Sequence, residues 1–210
     1  LKRFVIGYGT GRCGTKSLAQ FLNKQEGFDV THEGVALGWY PLFTDSEKQL
    51  EAFASRNSAV IGDIAFYWIH YLDRILRKYK NAKAINIVRD DDEVIESFWS
   101  YKSEIRDKIN LGGFYGYPFD SEECSKDAIA KTVKRYRFLE TEAKKFYPCS
   151  IITLKTEDLN DRNKLHKLLN LIYGVEKDWD ITPVKVNTVE QVLASKNAHK
   201  TERLFNTRRS

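Results

Sequence analysis

One stretch constrains this chain more than any other: Phe4-Val5-Ile6-Gly7-Tyr8-Gly9-Thr10-Gly11-Arg12-Cys13-Gly14-Thr15-Lys16-Ser17-Leu18. An apolar run breaks on glycines and restarts on Thr, Lys and Ser, so it reads as strand, tight turn and helix. Glycine lets the backbone turn its amides inward where a Cβ would obstruct them. The first turn of a helix leaves N–H groups without intrahelical partners and carries the positive end of the helix dipole. Arg12 and Lys16 add two formal charges to the same few residues. The stretch therefore predicts an anion cradle that holds a phosphate at a helix N-terminus.

The remaining chain alternates strand-like and helix-like segments, which predicts an α/β fold: three layers, P-loop-like, with a central parallel sheet flanked by helices. Strands are expected at Arg3–Tyr8, near Phe28–His32, at Ala59–Asp63, at Ala84–Val88 and at Ser150–Leu154. Helices are expected from Thr15 to about Lys24, over Ser46–Ser55, after Asp63 through Tyr79, over Asp91–Arg106 and over Asn160–Tyr173. Between Glu122 and Tyr147, Ile129, Val133, Tyr136, Leu139, Ala143 and Phe146 form one apolar stripe of a long helix. The 210 residues suit a single domain, 1–210, whose basic segment from about 185 reads as a loop or solvated tail.

Apolar and charged fractions of 42% and 30% are those of a soluble globular protein, and no apolar run is long enough to span a bilayer. A net charge of +5 suits an anionic ligand but is too small to imply nucleic acid, so none is expected as a partner. Cys13, Cys124 and Cys149 are odd in number and lack metal-ligand spacing. They read as free thiols of a reducing, cytoplasmic setting, and no metal site is expected. The absence of Met, even at the first position, leaves an upstream anchor or domain open. Cys13 follows a glycine turn as a phosphatase nucleophile would, but Ala19 stands where that chemistry needs an Arg.

Several phosphate binders could own the cradle. Gly9, Gly11 and Gly14 satisfy the dinucleotide pattern, with Asp29 or Glu33 as the ribose carboxylate, yet Thr15-Lys16-Ser17 replaces the small apolar residues expected next. A triphosphate P-loop is missed by one residue, because Thr15 separates Gly14 from Lys16. That insertion turns the Lys and the metal-binding hydroxyl by about 100° around the helix. Asp63 could imitate the metal-site aspartate of a nucleotide or small-molecule kinase, which stays as the enzymatic alternative. A non-catalytic nucleotide-binding module is the other.

A third reading absorbs more residues. Gly11-Arg12-Cys13-Gly14-Thr15-Lys16 resembles the 5′-phosphosulfate loop of the sulfotransferases that use 3′-phosphoadenosine 5′-phosphosulfate (PAPS), with Lys16 closest in style to the heparan-sulfate branch. That family places an Arg at a later strand end and a Ser eight residues on, to hold the 3′-phosphate. Ile87-Val88-Arg89-Asp90-Asp91-Asp92-Glu93-Val94-Ile95-Glu96-Ser97-Phe98-Trp99-Ser100 supplies Arg89 and Ser97 at that separation, with Asp91 where the family has Pro. The simpler reading of the same segment is a helix capped by Asp90 or Asp91, with Arg89 paired to acids of its first turn.

The resemblance implies sulfuryl transfer from PAPS to an acceptor hydroxyl on a carbohydrate, lipid, small alcohol or phenol, without a metal. It implies that Gly11, Arg12, Cys13, Gly14, Thr15, Lys16 and Ser17 form the 5′-phosphate site, with Arg89 and Ser97 on the 3′-phosphate. Arg12 and Lys16 would also neutralise charge on the leaving oxygen. The family's base is a Glu or a His; Glu33 is the first candidate and His32 the second. Trp39, Tyr40, Phe114, Tyr115 and Tyr117 could line the acceptor pocket. Lys196, Lys200 and Arg203 could fold over the cofactor, although the family's Lys-Gly signature is missing. The sequence does not set the oligomeric state.

Overall fold

A computed structural model describes residues 2–35, 46–105, 125–179 and 181–182, without the side chains of 46–47 and 101–105. Among these residues five strands form one parallel sheet in the order β2-β3-β1-β4-β5. They are β1 (Arg3–Tyr8), β2 (Phe28–His32), β3 (Val60–Ile64), β4 (Ala82–Val88) and β5 (Ile151–Lys155). The helices are α1 (Thr15–Asn23), α2 (Ser46–Ser55), α3 (Leu72–Lys78), α4 (Asp91–Ile105), α5 (Lys126–Phe146) and α6 (Arg162–Tyr173). The predicted α/β architecture is the one observed.

Alternation along β1 and β4 divides the apolar side chains between two layers. Phe4, Ile6, Tyr8, Ala82 and Ala84 face a cluster with Leu50 and Phe53 of α2, Leu72 and Ile75 of α3, and Tyr136 of α5. Val5, Ile85 and Ile87 face the opposite layer, with Leu18 and Leu22 of α1 and Leu165, Leu168 and Leu169 of α6. A smaller cluster of Val94, Phe98, Ile129 and Val133 joins α4 to α5. No helix among the described residues is long and apolar enough to cross a membrane.

The chain leaves central β1 for β2 and β3 on one side, then crosses to β4 and β5 on the other. The strand order reverses between β1 and β4, and open parallel sheets bind ligands at such a crevice, beyond the carboxyl ends of the strands. The cradle follows β1 and Arg89 follows β4, so the topology delivers both sequence motifs to one place.

Three boundaries differ from the sequence reading for local reasons. The segment after β3 is not one helix. A 3₁₀ stretch, Phe66–His70, precedes α3, with Trp68 and Tyr67 tied by their side chains to Asp63. The long helix starts at Lys126, where extended Ser125 accepts the Ala128 amide on its hydroxyl. Thr156–Asn160 forms another 3₁₀ stretch, and α6 begins at Arg162 because Asp161 accepts the Asn163 and Lys164 amides. The C-terminal segment from about 185 lies outside the described residues.

Candidate active site

The cradle is built on left-handed backbone. Gly11, Arg12 and Gly14 have φ of 80°, 54° and 93°, and Gly14 is the N-cap of α1. Gly9 is required by close approach instead. A Cβ there would lie 2.4 Å from the Ile87 carbonyl oxygen and 2.5 Å from Cys13 Sγ. The other side of the turn rests on Phe98, whose ring tip is 3.1 Å from where a Gly11 Cβ would sit.

Capping separates α1 from α4, α5 and α6. Asp90 accepts the Asp92 and Glu93 amides at the start of α4, and Ser125 and Asp161 do the same work for α5 and α6. Gly14 offers α1 no side-chain cap, and the first turn of α1 carries no acid. Its leading amides and dipole are therefore presented to the crevice. Arg12 and Lys16 are exposed there, Ser17 is half-buried, and Thr15 is buried. The Cys13 side chain turns away from this surface into the core. Burial, with a smaller push from Glu140, raises its thiol to about 11, so it is no nucleophile near neutral pH.

The two candidate phosphate motifs meet. Arg12 donates through Nε to Ser97 Oγ at 3.1 Å, and Arg89 donates through Nη1 to the Arg12 carbonyl at 3.1 Å. Two guanidinium groups and a hydroxyl thus converge at the β1–β4 crevice. The simpler reading of the second motif coexists with this. Asp90 caps α4, and Arg89 Nε also pairs with Glu93 at 2.7 Å.

At the end of β2, His32 Nε2 lies 3.2 Å from Thr15 Oγ1, joining the candidate base pair to the cradle. Burial holds the imidazole below its ordinary pKa, with Lys16 acting in the same direction, although Glu33 and Asp63 pull it upward. Glu33 is exposed, with its backbone at φ 53° and its amide donating to the Ile64 carbonyl at 3.2 Å.

Among the described residues, Asp63 bonds the turn after β2 and the 3₁₀ stretch after β3. Fully buried, its Oδ1 accepts from Thr31 Oγ1 (2.6 Å) and the Gly34 amide (2.9 Å), and its Oδ2 accepts from Trp68 Nε1 (2.8 Å). The Tyr67 hydroxyl, which also meets the Val35 carbonyl, lies 3.1 Å from Oδ2. Asp63 therefore fixes the turn that carries His32 and Glu33. With both oxygens committed, it does not suit a metal ligand. Asp29, near the start of β2, pairs with Arg56 at 3.5 Å. It sits about 10 Å of strand away from His32, far from any ribose at the carboxyl edge.

Two further residues escaped the sequence reading. Thr156 Oγ1 lies 2.6 Å from the Cys13 carbonyl and 3.1 Å from the Val88 carbonyl, tying the end of β5 to the cradle and to β4. Arg137 of α5 reaches the backbone of Arg89. Neither belongs to a short motif, so only the tertiary fold reveals them. Trp39, Tyr40, Phe114, Tyr115, Tyr117, Cys124, Lys196, Lys200 and Arg203 lie outside the described residues.

The residues present offer two adjacent places for an anion: α1 has no side-chain cap, and Arg12 meets Ser97 beside Arg89. Neither a family model nor a curated protein sequence matches this chain. Among solved structures, a sulfotransferase from Alicyclobacillus acidocaldarius is similar, with a TM-score of 0.61, 16% sequence identity, and coverage of 95% of this chain and 91% of that one. At that identity the likeness is one of fold.

Proposed function

We propose that this chain is a sulfotransferase that moves the sulfuryl group of PAPS to an acceptor hydroxyl of a small molecule or glycan. One observation carries the reading: Arg12 donates to Ser97 and Arg89 donates to the Arg12 carbonyl, across 85 and 77 residues of sequence. That convergence unites the two motifs by which the chain resembles PAPS-dependent enzymes, and the shared fold agrees with it.

In this reading Arg12, Lys16, the Thr15 and Ser17 hydroxyls and the leading amides of α1 hold the 5′-phosphate. Arg89 and Ser97 hold the 3′-phosphate. PAPS, when bound, supplies an activated sulfuryl group. The cationic cradle offsets the negative charge left on the 5′-phosphate, the electrostatic contribution on which such transfers chiefly depend. Glu33 takes the acceptor's proton, because its carboxylate is exposed whereas His32 Nε2 already faces Thr15. Thr15 and the Asp63-braced turn orient the pair.

A kinase would need a metal-site aspartate after β3, and the Thr31, Gly34 and Trp68 donors around Asp63 argue against that role. Thermal-shift titration separates the readings. Adenosine 3′,5′-bisphosphate should stabilise the protein without Mg²⁺ and more than AMP does, whereas a kinase would favour ATP with Mg²⁺. Arg89→Ala should erase the preference for the bisphosphate over AMP. Glu33→Gln should keep binding and stop transfer; retained transfer would move the base to His32. A protein that binds the bisphosphate yet transfers to no alcohol or phenol is a binding module.

A further inference from the structure

We infer that Arg137, braced by Glu140, is the positioning residue of the 3′-phosphate clamp, an inference that rests on the sulfotransferase reading. Arg137 spends its donors on three partners. Nη2 donates to the Arg89 carbonyl at 2.7 Å, Nε pairs with Asp91 Oδ1 at 2.8 Å, and Nη1 pairs with Glu140 Oε2 at 2.8 Å. The first contact fixes the backbone from which the Arg89 side chain departs. The second fixes the first residue of α4, and Ser97 follows six residues later on that same rigid helix, about 9 Å along its axis. One guanidinium therefore sets the origin of both groups of the clamp.

Glu140 sets Arg137 in turn. It is 5% exposed, and its carboxylate is held by Arg137 and approached by the Asn86 side chain. A carboxylate buried this far is costly unless a cation holds it. Burial raises its pKa, opposed by Arg137. Burial also works against the Arg137 charge, but Glu140 and Asp91 outweigh it and raise the pKa of the guanidinium. The pair thus locks Arg137 into one orientation. Asp91 occupies the place where the resembled family carries Pro, and here that departure supplies a tether on α4.

Replacing a buried ion pair by apolar residues of similar size is often tolerated, so the test uses Arg137→Met/Glu140→Met. Dissociation constants for adenosine 3′,5′-bisphosphate and AMP are measured by calorimetry at a temperature where circular dichroism shows both proteins folded. The inference expects the wild-type preference for the bisphosphate to fall at least fivefold in the variant, with AMP affinity within twofold of wild type. An unchanged preference overturns it, as does an equal loss for both ligands, which marks a general structural role. If the double variant does not fold, Arg137→Gln is read by the same ratio. A wild-type protein with no preference refutes the sulfotransferase reading itself, and this inference with it. Preference in the wild type that survives in the variant refutes only the inference.

Discussion

Asp63 looks at the residue scale like a metal-site aspartate at a strand end, yet its surroundings consume it. Each of its oxygens accepts from one rigid N–H donor, the Gly34 amide on one side and Trp68 Nε1 on the other. Asp63→Asn must therefore aim its new amide group at an N–H whichever way it turns. We expect a loss of about 2–3 kcal/mol in urea unfolding at pH 7, the cost of leaving buried donors unpaired. Stability equal to wild type would mean that the His32–Glu33 turn is anchored elsewhere. Cys13 makes the opposite point, since its setting beside Arg12 looks activating until the fold shows its thiol directed into the core.

Elements meet the site through few contacts, and Thr156 is the one most open to test. Its hydroxyl bridges carbonyls of the cradle loop and of β4, at the end of a strand that carries no phosphate ligand. Thr156→Val keeps the shape and removes the tie. It should cost about 1 kcal/mol, the net worth of one hydrogen bond. It should also weaken bisphosphate binding several-fold by loosening the loop that precedes α1. Thermal unfolding and calorimetric titration read the two effects, and intact binding would show that the glycine turn holds its form unaided. The capping of α4, α5 and α6 against uncapped α1 follows the same logic.

For the whole molecule, pH sums the buried titratable groups. Burial lowers the pKa of His32 and His70 in the fold. The unfolded chain therefore binds protons more readily, and this stability is complete above about pH 6.5 and lost as pH falls toward the folded values. Glu140 has the opposite sign. Its folded pKa is raised, so its contribution is present below the ordinary carboxylate range and lost as pH rises through the folded value. Comparing His70→Asn with wild type isolates the His70 share. The drop in Tm between pH 7 and pH 5.5 should be smaller in the variant, by calorimetry. An equal drop would assign the acid response to other groups.

Local chemistry made the parallel α/β plan, the glycine cradle and the Arg89–Ser97 spacing legible in the sequence, because strand period, helix period and turn residues are all short-range signals. The 3₁₀ break after β3 was hidden, since Phe66 to Ile69 are apolar throughout and their side-chain ties to Asp63 are tertiary. The sequence by itself marked Arg12, Lys16, Arg89 and Ser97 as candidates to grip two phosphates. Only the tertiary structure decided that Arg12 turns to Ser97, that Asp63 braces the turn after β2, and that Thr156 and Arg137 reach the Cys13 and Arg89 carbonyls from 143 and 48 residues away in the chain. Such contacts depend on strand order and helix placement, which are set by the burial of the whole core and not by any neighbour in sequence.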